Sequence, residues 1–511
     1  MRADSPVPTA TTPRSFDRDL WLLIALAAAK LVFHVLANGQ YGFHRDELQT
    51  LSDARHLDWG FVAYPPVTAF FGRIEFALFG PALAGLRFFP ALAQSIVFVV
   101  SGLMARRLGG GRAAMLVAAL AVALAPVSLS GSSLFMYVTF DYLWYVLVAY
   151  SIICRIESGD ARWWLAVGAA IGLGMMTKYT MGLFAIGLVA GVLFTPWRAD
   201  LRSRWLWIGL ALSVIIFVPH LLWQAQHGFV TLDFLKFIHA RDVRIGRADG
   251  FFVDQFNNIA TNLFTLPIWL IGLGYACLGA RGRYRILAWM YVVPIALFAL
   301  AQGRGYYTAP LYPMLFALGA VVLQRWLATR GPIARRAGWS ATIVLLVAAT
   351  VVVPVVVPLV PVNSALWSFV NRKNGDFREE FGWPELTREV ARIWNGLTPE
   401  ERAHGGIWGS NYGEAGAIEL YGPQYGLPQV ISAVNSFWLR GPPRPVPQTL
   451  IVIGADRKDL DKPCTSVELA GHTGNDAHVE NEETKWHPDI FICRGVRKPL
   501  DEMWPKLIEF G

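Results

Sequence analysis

The stretch "DLWLLIALAAAKLVFHVLANGQYGFHRDELQT" (residues 19–50) decides the architecture of this chain. Its first part, 19–37, is apolar and as long as a membrane-spanning helix, which needs about 20 mostly apolar residues. Directly after it come Arg45, Asp46 and Glu47. Acidic side chains at a membrane boundary are costly unless they are solvated, paired or used. The stretch therefore predicts a retained first membrane helix that leads into a polar, functional loop.

The rest of the chain continues the membrane pattern. It has 511 residues, of which 54% are hydrophobic and 16% charged, whereas a soluble domain carries about 25% charged residues. This composition predicts a polytopic α-helical membrane protein with about eleven spans of roughly 20 residues each. They are expected at 19–37, 84–105, 113–130, 138–155, 162–177, 180–197, 205–223, 261–279, 284–301, 307–326 and 340–361.

The positive charges indicate an orientation. The net charge is +8, and most arginines fall in short gaps between apolar runs, which is typical of cytoplasmic loops and argues against a nucleic-acid partner. Residues 1–18 are then cytoplasmic, and the loop 38–83 and the segment 362–511 lie outside. The loop 224–260 is basic although this orientation puts it outside. That indicates either an anionic ligand or a solvated surface.

The segment 362–511 reads as a small α/β domain outside the membrane, which leaves 19–361 as the membrane domain. The run 449–455 is typical of a buried strand, and 384–397 has helical spacing. Cys464 and Cys493 could form a disulfide in an oxidising compartment. Two free thiols are the alternative.

Two acidic positions are candidates for catalysis. Asp46 and Glu47 open the first of two short helices expected at 46–57 and 66–79, and the first of these suits the plane of the membrane interface. A carboxylate there can take a proton from an attacking hydroxyl, although a helix N-terminus also favours acids. Asp141, at the outer end of the fourth span, either serves a site or caps a solvated helix start.

Cationic and aromatic side chains on the same side are candidates for binding a phosphate. Lys178 stands on the outer side against the charge bias, as a phosphate ligand or as a snorkelling lysine. Arg304 lies between two glycines, so a ligand can approach the backbone while the guanidinium binds it. Tyr306 and Tyr307 follow, either as ligands or as an aromatic belt. Histidines show no metal-binding spacing, and no metal or cofactor is expected.

Several of these segments together resemble one family. "HLDWGFVAYPP" (56–66), "TFDYLW" (139–144), "TKYT" (177–180) and "GYYTAPLYPMLFALGA" (305–320), with the acidic pair after the first span, resemble the family 39 glycosyltransferases of the GT-C fold. That family includes protein O-mannosyltransferases, and the aminoarabinose and galacturonic acid transferases of bacterial lipopolysaccharide are relatives. The resemblance covers roughly residues 19–325. The segment 411–438 resembles a stretch in uncharacterised bacterial members.

The resemblance implies a polyprenyl-phosphate sugar as donor. Asp46 matches the family's first-loop acid, Glu47 its neighbour and Asp141 the acid after the third span, and these three are the catalytic candidates. Lys178 matches the lysine near the donor phosphate. Arg45, Arg304, Tyr306 and Tyr307 are added here as phosphate ligands. Relatives commonly carry a charged or polar residue before the two prolines, whereas Ala63 and Tyr64 stand here, so a metal or phosphate contact at that spot is in doubt.

The sequence thus predicts a glycosyltransferase of the bacterial inner membrane. It would move one sugar from a polyprenyl phosphate to an envelope glycan, lipid or protein on the periplasmic side, with Asp46 as general base. Two alternatives are a transporter or flippase of lipid-linked glycans and a non-catalytic partner of an envelope complex.

Overall fold

The structure of the protein is a computed structural model that describes residues 13–247, 249–256, 260–279 and 282–511. Its first part is helical. The α-helices of this part are α1 (Pro13–Ala37), α2 (Arg45–Arg55), α3 (Val67–Phe79), α4 (Leu83–Leu86), α5 (Phe88–Arg107), α6 (Arg112–Ala123), α7 (Pro126–Gly131), α8 (Tyr137–Ser158), α9 (Trp163–Met175), α10 (Thr180–Leu193), α11 (Arg204–Gln226), α12 (Val230–Arg244), α13 (Phe251–Asp254), α14 (Leu266–Leu278), α15 (Arg285–Leu300), α16 (Tyr312–Ala328), α17 (Pro332–Ala349) and α18 (Val353–Val356).

Each of the predicted spans coincides with an apolar helix. Among the residues that the structure describes, six segments are long and apolar enough to cross a membrane: Arg18–Ala37, Leu83–Arg107, Tyr137–Ser158, Arg204–Gln226, Gly305–Ala328 and Pro332–Val356. Thr180–Leu193 passes the same test only together with Pro196–Arg202, across a bend of 99°. Four apolar helices are shorter: Arg112–Ala123, Trp163–Met175, Leu263–Leu278 and Arg285–Leu300. A helix rises about 1.5 Å per residue, so these four are short for a full crossing, and the number of spans stays a prediction.

The membrane helices pack closely through small residues. Helix α5 lies against α6 and α8, α9 against α11, α10 against α15, and α14 against α16. In the last pair, a Cβ atom added to Gly319 would lie 1.8 Å from the carbonyl oxygen of Ile268. Only glycine lets the two backbones approach to this distance, as is common between membrane helices.

The second part contains a five-stranded sheet. Its elements are α19 (Ala365–Lys373), α20 (Trp383–Gly396), α21 (Pro399–Ala403), β1 (Gly405–Gly409), α22 (Tyr412–Tyr421), β2 (Val430–Ile431), β3 (Thr449–Ile453), α23 (Arg457–Leu460), β4 (Cys464–His472), α24 (Glu482–Trp486), β5 (Asp489–Val496) and α25 (Leu500–Met503). The strand order is β2-β1-β3-β5-β4. Strand β1 pairs in parallel with β2 and β3, and β5 pairs antiparallel with β3 and β4.

The sheet is covered on both faces, as the burial of strand β3 shows. All five of its residues are buried. Ile451 packs towards α20, and its neighbour Leu450 belongs to the cluster around Trp504 on the other face, because successive strand residues point to opposite faces. The predicted strand, the predicted helix at 384–397 and the α/β character of this part therefore agree with the structure.

Cys464 and Cys493 form a disulfide that joins the edge strand β4 to β5. Of the two alternatives that the sequence leaves open for these cysteines, the structure has the bridge. Cys464 is the first residue of β4.

The loop after α1 packs on this second part of the chain. Leu48 and Leu51 of α2 share a core with Trp383 of α20 and Ile418 of α22. The apolar side of α2 therefore faces protein, whereas the sequence suggested a helix lying in the lipid interface. This docking places the N-terminal end of α2 between the membrane helices and the C-terminal sheet.

Candidate active site

At the N-terminal end of α2, the side chains of the adjacent acids Asp46 and Glu47 point in different directions. His44 caps the helix: its Nδ1 accepts a hydrogen bond from the Asp46 backbone at 3.1 Å, and the Glu47 carboxylate accepts one from the His44 backbone at 2.8 Å. This is a capping arrangement that satisfies the first free N–H groups of a helix. Asp46 is the second residue of the helix and Glu47 the third, so their side chains leave it in different directions.

Glu47, the second predicted catalytic acid, is buried and does not line the cavity described next. It is 0% exposed, and its carboxylate accepts hydrogen bonds from the Arg87 guanidinium at 2.6 and 2.9 Å and from the Phe135 backbone at 2.8 Å. Arg87, also 0% exposed, contacts Glu380 at 3.1 Å. Glu47 therefore holds a buried ion-pair network together and does not face the cavity described next, so a direct catalytic role does not fit its position.

A cavity opens on the other side of α2. Its space amounts to about 1060 Å³, including the part open to solvent. Five cationic side chains line it, together with the Asp46 carboxylate; the cations are Arg45, Lys178, Arg241, Arg247 and Arg304. They come from α2, the turn between α9 and α10, α12 and the loops that follow α12 and α15. A concave site with convergent charges of one sign suits an anionic ligand.

Asp46 is held at one of its two oxygens. Its Oδ1 accepts a hydrogen bond from the Tyr412 hydroxyl at 2.8 Å and lies 3.8 Å from the Arg45 Nε. Burial opposes ionisation, but the charges of His44 and Arg45 and the Tyr412 hydroxyl outweigh it, so the pKa of Asp46 is lowered. The carboxylate is therefore ionised at neutral pH and has Oδ2 available.

Lys178 is surrounded by aromatic rings. Its Nζ lies 3.6 Å from the ring centre of Tyr307, 5.2 Å from that of Tyr137 and 6.0 Å from that of Tyr306. Within the described part of the chain the ammonium has neither a hydrogen bond nor an ion pair. Burial lowers the pKa of Lys178, although the charge of Asp141 opposes this. Such a weakly solvated cation favours an incoming anion.

Arg304 has an acidic partner that the sequence did not reveal. The Asp242 carboxylate accepts two hydrogen bonds from its guanidinium, at 2.7 and 2.9 Å. Arg241 and Arg247 lie 3.7 and 3.9 Å from the same carboxylate. Three arginines thus share one carboxylate, and the group keeps a positive excess towards the cavity.

The remaining predicted residues divide between the cavity wall and the layer behind it. Tyr307 and Arg45 line the cavity, and Arg45 also forms an ion pair with Glu482. Tyr306 does not line it; its hydroxyl accepts a hydrogen bond from Arg304 at 3.3 Å. Asp141 is 3% exposed and accepts a hydrogen bond from the Thr180 hydroxyl at 2.9 Å. Its position beside Lys178 suits a supporting role rather than contact with the substrate.

Sequence reasoning missed several lining residues. The basic character of 224–260 indicates either an anionic ligand or a solvated surface and does not single out Arg241 or Arg247, which line the cavity. Tyr412 and Asn435 come from the C-terminal part, and their residue types gave no signal by themselves. Tyr64 also lines the cavity, and its hydroxyl donates to Asp53 at 2.6 Å.

Metal binding has no candidate cluster in the part of the chain that the structure describes. No three His, Cys, Asp or Glu side chains there are grouped to hold an ion. The functional groups that stand out in the lining of the cavity are cations, tyrosine hydroxyls and the Asp46 carboxylate.

Comparisons with known proteins relate this helical fold, with its cationic cavity beside the loop that follows α1, to membrane glycosyltransferases. The family described as dolichyl-phosphate-mannose-protein mannosyltransferase matches residues 63–223. That match includes Asp141 and Lys178 and leaves out Asp46, Arg304 and Tyr412.

Individual relatives agree with this class. Lipid A galacturonosyltransferase RgtD of Rhizobium johnstonii is 26% identical over 268 residues, which is 50% of this chain and 55% of that protein. Undecaprenyl phosphate-alpha-4-amino-4-deoxy-L-arabinose arabinosyl transferase 1 of Pseudomonas fluorescens is 27% identical over 270 residues, 49% of this chain and 48% of that protein. The chain therefore spans about half the length of the curated relatives it matches.

The likeness in fold is more extensive. The crystal structure of ArnT from Cupriavidus metallidurans bound to undecaprenyl phosphate superimposes with a TM-score of 0.52 at 18% identity, covering 93% of this chain and 97% of that one. The apo form of the same protein gives a TM-score of 0.54. The predicted resemblance to GT-C glycosyltransferases is confirmed.

Proposed function

We propose that this protein transfers a sugar from a polyprenyl-phosphate donor to an acceptor of the bacterial cell envelope. The observation that carries the proposal is the cavity itself, in which five cationic side chains surround one ionised carboxylate that has a free oxygen. The named relatives, which include lipid A and aminoarabinose transferases, support the same class of reaction.

The cations would bind the phosphate of the donor. Lys178 is unpaired within the described residues, and Arg304 presents a planar guanidinium that suits phosphate oxygens. Phe234, Leu235 and Ile238 line the same cavity and offer an apolar surface to the first part of a lipid chain. Charge on the phosphate grows as the bond to the sugar breaks, and fixed cations stabilise that growth most.

Asp46 would act on the acceptor. An acceptor hydroxyl at Oδ2 gives its proton to the carboxylate while its oxygen forms a bond to the anomeric carbon of the sugar. The bond between that carbon and the phosphate oxygen breaks, and polyprenyl phosphate leaves with the electron pair. Because the pKa of Asp46 is low, the carboxylate is a weak base and receives the proton late in the step.

The proposed site belongs on the periplasmic side of the inner membrane. The arginine-rich gaps between helices favour the cytoplasm, and eleven crossings then leave the cavity and residues 362–511 outside. The disulfide between Cys464 and Cys493 fits an oxidising compartment. Candidate acceptors there are lipids, glycans and proteins of the envelope.

The test is direct transfer by the full-length protein in nanodiscs. Synthetic undecaprenyl-phosphate sugars are offered with an envelope extract, and labelled products are followed by mass spectrometry. A sugar-modified acceptor that requires the protein supports the proposal. Movement of the intact donor across the bilayer without transfer would instead indicate a flippase. A flippase needs a polar path through the membrane helices, and Lys30 is the residue at which to look for one. It lies inside α1, and its ammonium donates to the Ser132 hydroxyl at 2.6 Å.

A further inference from the structure

The C-terminal part of the chain is fixed tightly to the helix that carries Asp46. A Cβ atom added to Gly416 of α22 would lie 2.7 Å from the Leu48 Cβ and 2.8 Å from the Leu48 backbone. The two helices therefore touch backbone to backbone, and the apolar core around Leu48 and Ile418 continues across the contact. Because packed protein interiors have low compressibility, a contact this close fixes the position of α2 relative to α22.

The N-terminal end of α22 is also fixed. The Asn411 side chain accepts a hydrogen bond from the Glu414 backbone at 2.9 Å, and Glu414 accepts one from the Asn411 backbone at 3.1 Å. Tyr412 is the first residue of this capped helix and lines the cavity. Its hydroxyl is aimed at the Oδ1 of Asp46 by a helix end that has little freedom.

Asn435 makes a second contact from the same part of the chain. Its amide donates to Gln49 of α2 at 3.1 Å, and both residues line the cavity. Asn435 has φ +48, a left-handed conformation that is uncommon outside glycine and persists where the surroundings enforce it. The C-terminal part thus reaches the cavity through Tyr412 and through Asn435, beside which Gly511 also lines the wall.

The charges that face Asp46 make the Tyr412 contact consequential. The charged or titratable groups that act on Asp46 include His44, Arg45, Arg304, Tyr137 and Glu379, and the Tyr412 hydroxyl donates a hydrogen bond to its carboxylate. Burial, followed by the charge of Asp46, raises the pKa of Tyr412. Its hydroxyl therefore stays protonated and acts as the donor.

We propose that Tyr412 is a positioning residue supplied by the C-terminal part to the transfer site. By occupying Oδ1 of Asp46, it turns Oδ2 towards the acceptor hydroxyl and keeps the carboxylate in its ionised form. The proposal rests on the function proposed above. It assigns the C-terminal part a role in the transfer reaction, in addition to covering the membrane domain.

The test replaces Tyr412 by phenylalanine in the full-length protein, with Tyr425→Phe as a matched control in the same part of the chain. Tyr425 is exposed and lines no part of the cavity. The first measurement needs no turnover: a carbodiimide labels protonated carboxyl groups, and tandem mass spectrometry reports labelling of Asp46 as the pH is varied. Loss of one hydrogen bond to the charged form should raise the labelling midpoint by about one pH unit. Tyr425→Phe should leave it unchanged.

The second measurement is a double-mutant cycle on transfer. Tyr412→Phe should lower kcat by about tenfold or more, with little change in donor KM, and should have no further effect in an Asp46→Asn background. An unchanged labelling midpoint, or an equal loss in both backgrounds, would overturn the proposal. If the wild-type protein transfers no sugar, the proposed function fails, and the labelling midpoint alone decides whether Tyr412 controls Asp46.

Discussion

The two neighbouring carboxylates at the start of α2 meet opposite surroundings. A helix turns about 100° per residue, so Asp46 faces the cavity while Glu47 meets the buried guanidinium of Arg87. One carboxylate keeps a free oxygen, and the other has both oxygens occupied. Substitution of each should therefore change a different property of the protein.

Asp46→Asn should lower transfer to a small residual rate and leave the folded protein nearly as stable as the wild type. The amide keeps the shape of the side chain but cannot accept the proton, and loss of a general base lowers rates by about 10²–10⁴-fold. The measurement is turnover in nanodiscs together with thermal unfolding. For the wild type, activity should fall only as the pH drops below the usual 3.8 of an aspartate, because the pKa of Asp46 is lowered. Near-normal turnover of the variant would remove Asp46 from the mechanism.

Glu47→Gln should chiefly destabilise the protein. It leaves Arg87 buried with Glu380 as its remaining carboxylate partner among the described residues, and removing one member of a buried ion pair typically costs about 3–5 kcal/mol. The check is the midpoint of thermal unfolding beside that of Asp46→Asn. Equal midpoints for the two variants would contradict the assignment of Glu47 to the ion-pair network.

Lys178→Ala should weaken binding of undecaprenyl phosphate by about tenfold or more, since a charge-assisted contact contributes about 1.5–3 kcal/mol. Lys236→Ala is the matched control, because that side chain is 77% exposed and is not among the residues that line the cavity. Binding to protein in nanodiscs can be followed by native mass spectrometry. Similar affinities for the two variants would exclude Lys178 from the phosphate site.

The sequence anticipated the residue types of the site better than their contacts. A charge at a span end indicates Asp46 and Lys178, and the flanking glycines indicate Arg304; all three line the cavity. The Asp242 partner of Arg304 and the Tyr412 partner of Asp46 were missed. Both contacts join residues far apart in the chain, and neither residue type has a local pattern that marks it.

At the scale of elements, the contact between α2 and α22 depends on Gly416, which has no side chain to hold the two helices apart. Gly416→Ala should push the helices apart, because its Cβ would meet Leu48 at 2.7 Å, and overpacking of this kind costs about 1–3 kcal/mol. Gly396→Ala is the control, since nothing lies within 4 Å of a Cβ added there. Thermal unfolding of both variants is the measurement. A Gly416→Ala protein as stable as the control would show that the contact yields.

Elements were easier to anticipate than their packing. Periodicity located α2, α3, α20 and β3 within a few residues, because hydrophobic spacing is a local property. The parallel pairing of β1 with β2 and β3 and the docking of α2 depend on contacts between distant segments. An apolar face on α2 suits lipid and protein equally well, so the sequence could not choose between them.

At the scale of the whole molecule, the disulfide tests which side of the membrane the C-terminal part occupies. A peptide map of non-reduced protein from membranes should show Cys464 joined to Cys493. Closing a loop between residues 29 positions apart should stabilise the fold by about 3 kcal/mol in the chain-entropy account. Cys154 and Cys277 are free and serve as internal controls for alkylation. Two additional alkylated thiols would reject the bridge.

The contact between Asp46 and Tyr412 also constrains how the protein is made. The two residues are 366 positions apart, and synthesis proceeds at about 5–20 residues per second. The loop that follows α1 is therefore translated roughly 20 to 70 s, at those rates, before its partner helix α22. During that interval Leu48 and Leu51 lack the core that later buries them. A nascent chain arrested before α22 should accordingly be a preferred target of membrane quality-control proteases.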